Sequence, residues 1–91
     1  MLKKTTNSTV AYEPIAISDE TVMKFQKVTN AKGVTVYGKI LKNDAECGSV
    51  SYDGAGDYLI TSLKPCTLFT PDEVTAIHSE VPKCIGEILA D

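Results

Sequence analysis

Residues 34–41, Val-Thr-Val-Tyr-Gly-Lys-Ile-Leu, mix β-branched, aromatic and polar side chains in near alternation. That β-branched and aromatic composition predicts a strand. The preceding stretch, 18–33, reads two ways. As a helix it offers Ser18 as N-cap, acids in the first turn and Gly33 as a stop. As a strand it offers Val-Met-Lys-Phe-Gln-Lys-Val-Thr. A loop of Ala31, Lys32 and Gly33, with glycine where a three-residue hairpin loop needs positive φ, favours the strand. That register sets Val28 opposite Val36 and Thr29 opposite Thr35.

The same grammar recurs downstream. A polar connection, 42–48, leads to Gly-Ser-Val-Ser-Tyr-Asp, then Gly54-Ala55-Gly56, then Asp-Tyr-Leu-Ile-Thr-Ser-Leu. Three loop residues ending in glycine set Tyr52 opposite Tyr58 and Val50 opposite Ile60. Residues 10–17 are also β-rich, but Pro14 lacks a ladder donor, so they form an edge strand or an extended arm. Residues 1–9 are polar and aperiodic and read as a flexible tail.

After Pro65 the period changes from two to that of a helix. Thr70 as N-cap, Pro71 at the first helical position and Glu73 at the third make a capping box with a proline start. Val74, Ile77, Val81, Ile85 and Ile88 then fall on one helical face. If part of that stripe stayed exposed it would mark a dimer or partner surface with Asp72, Glu73, Glu80 and Glu87 as a solvated rim; a core helix with a charged outer face is the preferred reading. Pro82 either kinks the helix or divides it in two. The expected fold is therefore α+β: an antiparallel meander of three to four strands, followed by one kinked or two short helices packed on one face. A single domain spans 10–91.

Composition narrows function by what it withholds. The chain has 91 residues, 43% hydrophobic and 23% charged, which is ordinary for a small globular domain. No apolar run is long enough to span a bilayer and no secretory leader is visible, so a cytoplasmic location is expected unless a leader has been removed. Three widely spaced cysteines, Cys47, Cys66 and Cys84, without a CxxC pair read as reduced thiols. All nine basic residues are lysines, so the two-pronged grip of arginine on phosphate or carboxylate is missing.

Several constellations can be weighed. Asp53 and Asp57 flank Gly54-Ala55-Gly56. A phosphate loop needs a lysine and a following helix, whereas a strand follows here and the flanks are acidic. A calcium loop needs more oxygen ligands than two. The stretch is a bend. His78 has no cysteine, carboxylate or second histidine three or four residues away on its helix, so it belongs to the margin of the helix interface.

Cys84 is the candidate reactive thiol. If Pro82 started a second helix, exposed amide N–H groups and Lys83 would favour the thiolate. Its place in the apolar stripe argues for the core instead. Lys24, Lys27, Lys32, Lys39 and Lys42 occur with no acid between the first and the last. With Phe25 and Tyr37 among them they form a candidate polyanion-binding hairpin, in which aromatic rings could stack bases.

No catalytic constellation, cofactor motif, metal-ligand set or small-molecule motif emerges. The leading expectation is a small non-enzymatic module acting through a protein partner or self-association. The alternatives are nucleic-acid or other polyanion binding through the 24–42 hairpin, and a small thiol-dependent enzyme or redox subunit using Cys84.

Overall fold

The computed structural model describes residues 8–31 and 33–91. Six antiparallel strands form one sheet: β1 (Ser8–Ala11), β2 (Ile15–Ala16), β3 (Thr21–Asn30), β4 (Gly33–Lys42), β5 (Ala45–Asp53) and β6 (Tyr58–Leu63). Their order is β1-β3-β4-β5-β6, with β2 also on β3. A single 3-10 turn (Cys66–Leu68) leads to one helix, α1 (Pro71–Ala90).

The α+β class is as expected, but the sheet has more strands than the three to four read from the sequence. The two extra strands come from residues 8–16. They lie along β3 and are parted at Glu13 and Pro14, where proline cannot extend the ladder. Ser8 and Thr9, assigned to the tail, belong to β1. Residues 1–7 of that tail lie outside the described residues. The ambiguous stretch 18–33 resolves as strand β3 and its turn into β4.

Both expected hairpin registers are corrected by one residue. Asn30 pairs with Gly33, so Val28 faces Thr35 and Val36 faces Lys27. The connection is two residues long, and Gly33 opens β4 at φ 136°. In the other hairpin Asp53 pairs with Tyr58, so Val50 faces Thr61 and Tyr52 faces Leu59. Asp57, at φ 51°, extends the glycine loop to four residues. A one-residue slip moves every side chain of a strand to the other face, so these corrections decide which residues are covered.

The expected polar connection at 42–48 is mostly strand. Asn43 and Asp44 both take positive φ, 51° and 65°, and turn the chain in two residues so that Lys42 pairs with Ala45. Such a pair of left-handed residues matches the twist of the flanking strands. A bulge between Ile40 and Leu41 then leaves Cys47 without an opposite residue and turns it into the core.

Helix α1 lies on one face of the sheet. From the helix come Ile77, Val81, Cys84, Ile85 and Ile88, and from the sheet Met23, Phe25, Val36, Ile40 and Val50. Pro82 sits inside this continuous helix on its exposed side, so the two-helix alternative does not hold. Its ring replaces one amide donor without entering the core.

Gly38 makes room for Phe25. A Cβ at Gly38 would stand 2.7 Å from Phe25 Cε1 and 3.1 Å from Val50 Cβ, and both neighbours are held in the core. We therefore expect Gly38→Val to cost about 1–3 kcal/mol by overpacking. Chemical denaturation monitored by circular dichroism measures this, and an unchanged midpoint would contradict the packing described.

Candidate functional site

The two faces of the sheet differ in kind. Residues 21, 23, 25 and 27 of β3 and 36, 38, 40 and 42 of β4 point toward α1, because opposite residues of an antiparallel pair share a face. Three of these positions are polar: Thr21, Lys27 and Lys42. Each is engaged with the helix or its N-terminal approach.

Glu73 is the meeting point at the N-terminal end of α1. Its amide donates to Thr70 Oγ1 at 3.1 Å, and its Oε1 accepts from the Thr70 amide at 2.9 Å, which completes the expected capping box. The same carboxylate also accepts from Ser18 Oγ at 2.9 Å, from Thr21 Oγ1 and from Lys42 Nζ at 2.9 Å. Lys42 Nζ additionally donates to the Leu68 carbonyl and stands 5.4 Å from the centre of the Phe69 ring. The Lys42 and Glu73 side chains are only 14% and 9% exposed. Glu73 is therefore not part of a solvated rim.

Its carboxyl is held well below the usual carboxylate range. The Thr21 hydroxyl contributes most, then the Thr70 amide and Lys42, against the opposing effect of burial. Ser18 also shapes the approach to β3, because its Oγ accepts from the amides of Glu20 and Thr21.

Lys27 acts at the other end of α1. Its Nζ donates to the carbonyls of Ile88 and Asp91, at 3.1 and 2.9 Å. The last helical turn has no basic residue of its own, so the sheet supplies the cation that suits the helix C-terminus. Tyr12 donates to Asp91 Oδ2 at 2.9 Å beside it.

The five candidate lysines are thus divided. Lys27 and Lys42 are bonded beneath and beside the helix. Lys24 and Lys39 are exposed and lie directly opposite each other on the uncovered face. Lys32 lies outside the described residues. Phe25 is in the core, 3% exposed, whereas Tyr37 is 51% exposed on the same side as Lys24 and Lys39. An open groove of about 660 Å³ runs over this face past Lys24, Gln26, Tyr37, Lys39, Glu46, Ser49 and Ser51.

The thiol candidate loses the condition on which its reactivity rested. No helix starts at Pro82, and Cys84 is 5% exposed in the middle of α1. Burial first, then Glu80 and Glu87, push its thiol up, away from the thiolate. Cys47 is buried and Cys66 exposed, and all three thiols are free. His78 is exposed on α1.

The glycine loop is a bend. Asp53 Oδ1 accepts from the Ala55 amide at 2.9 Å, which closes an Asx turn, and the Tyr52 hydroxyl points to Asp57 Oδ1 at 3.4 Å. Among the described residues no three His, Cys, Asp or Glu side chains converge as a metal site.

The strand at 58–63 was expected, but its exposed position at the end of the sheet was not. β6 ends the sheet, and its outer side pairs with nothing among the described residues. Tyr58, Leu59 and Ile60 are 49%, 39% and 55% exposed. No charged residue or proline occurs within it. Edge strands in native proteins are usually guarded by such residues, by bulges or by shortness. The sequence signal was available as the uncharged run 58–63, but nothing in it said which strand would be last.

Comparison of the chain with protein-family models, with curated proteins and with solved structures finds no match. Among the described residues no helix is long and apolar enough to cross a membrane.

The Glu73 arrangement carries a pH prediction. A carboxyl whose folded pKa lies below its unfolded value stabilises the fold fully above the unfolded value, about 4.3, and loses that contribution as pH falls toward the folded one. Wild type should thus melt above Glu73→Gln at neutral pH, and the gap should narrow steadily as pH drops below about 4. Melting temperatures at several pH values measure this. A gap that does not change with pH would show that the Glu73 charge is not what stabilises the fold.

Proposed function

We propose that this protein is a non-enzymatic interaction module that works by protein–protein contact at the uncovered side and edge of its sheet. The observation that carries this reading is β6, an uncharged edge strand with Tyr58, Leu59 and Ile60 exposed and no partner on its outer side among the described residues. An unpaired row of amide and carbonyl groups is a template for another strand, and adjoining apolar side chains add burial. The helix is already committed to the opposite face. A cytoplasmic setting agrees with the free thiols and remains part of this proposal.

A second reading has its own observation. Lys24 and Lys39 are paired directly across the open face, where like charges repel, and neither forms an ion pair among the described residues. With Tyr37 beside Lys39 on the same face of β4, that face suits an anionic ligand, a nucleic acid included. Glu46, which also lines the groove, offsets part of the charge. The other candidate cations, Lys27 and Lys42, have structural partners, which leaves this reading second.

One experiment separates the two. The tagged protein is used to capture material from native lysate at low and moderate salt, beside Ile60→Lys and a Lys24→Glu/Lys39→Glu variant. We expect protein, this chain or another, to be retained at both salts and lost with Ile60→Lys. Capture of nucleic acid that disappears with salt and with the lysine variant would overturn the first reading in favour of the second.

A further inference from the structure

The outward main-chain groups of β6 can be identified residue by residue. The Lys64 amide donates to the Cys47 carbonyl at 2.9 Å, so Lys64 turns its main-chain groups toward β5. Hydrogen-bonding direction alternates along a strand. Ser62, Ile60 and Tyr58, opposite Ser49, Ser51 and Asp53, therefore face β5 as well. Leu59, Thr61 and Leu63 present their amides and carbonyls outward.

From this we infer that the occupant of the edge is a second copy of this chain, paired antiparallel β6 to β6 about a two-fold axis through Thr61. The inference rests on the reading of β6 as the interaction site and specifies its partner and register. A two-fold axis perpendicular to a sheet places one residue opposite itself and keeps each face on its own side. Only two central axes are available in so short a strand, through Ile60 or through Thr61. The Thr61 axis pairs Thr61 with Thr61, Leu59 with Leu63 and Leu63 with Leu59. All three outward residues of each copy then exchange hydrogen bonds. The Ile60 axis pairs only Leu59 with Thr61 and sets Leu63 against Asp57, which turns away at φ 51°.

Side chains support the same register. On the helix side, exposed Leu59 of each copy is covered by Leu63 of the other, which already packs against the core. On the open side, Ile60 lies opposite Ser62, and Tyr58 opposite Lys64, where an ammonium can rest on the ring. No like charges meet, because residues 58–63 carry none. The opposite edge is less suited to this role: β1 is four residues long and is followed by Glu13 and Pro14. Pairing through β6 joins two six-stranded sheets into one, with both helices on the same face. The two open faces become continuous, and the Lys24–Lys39 pair is then displayed twice.

The test uses sedimentation velocity over a range of concentrations and two substitutions at one position. Wild type is expected to dimerise. Thr61→Pro removes an amide that points away from β5, so the ladder within the chain is kept while the dimer weakens by roughly tenfold or more. Thr61→Cys, in a Cys66→Ser background, should form a disulfide-linked dimer on mild oxidation. Directly opposite residues that exchange hydrogen bonds lie about 5.5 Å apart at Cα, within disulfide reach. Ile60→Cys in the same background should not cross-link.

If Thr61→Pro proves unfolded by circular dichroism, the cysteine variants alone decide. Wild type that stays monomeric at every concentration overturns the inference, yet leaves the interaction module standing if lysate capture depends on Ile60. Cross-linking through Ile60→Cys instead of Thr61→Cys, or a dimer that neither cysteine variant cross-links, overturns the register.

Discussion

The fold turns on one largely buried ion pair. Lys42 comes from the end of a strand and Glu73 from the first turn of the helix, and they meet at 2.9 Å with little solvent access. Charges taken from water are costly unless their remaining hydrogen-bonding capacity is filled. Here it is filled: Ser18, Thr21 and the Thr70 amide complete the carboxylate, and the Leu68 carbonyl and Phe69 ring complete the ammonium. Three separate stretches of chain, 18–21, 42 and 68–73, are thereby fixed to one another where the helix starts.

The other end of the helix is fixed by the same device from the neighbouring strand. Lys27 reaches the last carbonyls, where a cation is favourable and the helix has none of its own. Between these two anchors the apolar stripe settles on Met23, Phe25, Val36, Ile40 and Val50. The consequence for function is geometric. A helix pinned at both ends to one face leaves the other face and the β6 edge uncovered.

Much of the architecture was legible in the residues. The capping box at Thr70 and Glu73, the apolar stripe of α1 and the strand at 34–41 follow from local chemistry, because each is decided within a few residues. The registers were not, because glycine in a loop fixes the presence of a turn better than its length. Asp57 in a left-handed conformation adds one loop residue and shifts Tyr58 and Ile60 onto the open face. Asn43 and Asp44 close a tight turn that read as a polar connection.

The division of the lysines was half legible. Alternation along a strand sends Lys24 and Lys27 to opposite faces, but the destination of each face depends on where the helix lands. Thr21, Lys27 and Lys42 stand at core-facing positions of otherwise apolar strands. That misplaced polarity was the available signal for partners elsewhere in the chain. The helix acid that would answer Lys42 was not identifiable from spacing, since Glu73 had a sufficient local reason to exist in its capping box.

The most direct measurement is a double-mutant cycle on the central pair. Stability is measured by chemical denaturation for wild type, Lys42→Met, Glu73→Gln and the double variant. If the pair is the constraint described, each single change strands a buried partner, and the double variant loses clearly less than the sum of the two single losses. Losses that simply add would mean that the two side chains act independently, and the account of how the helix is held would fail.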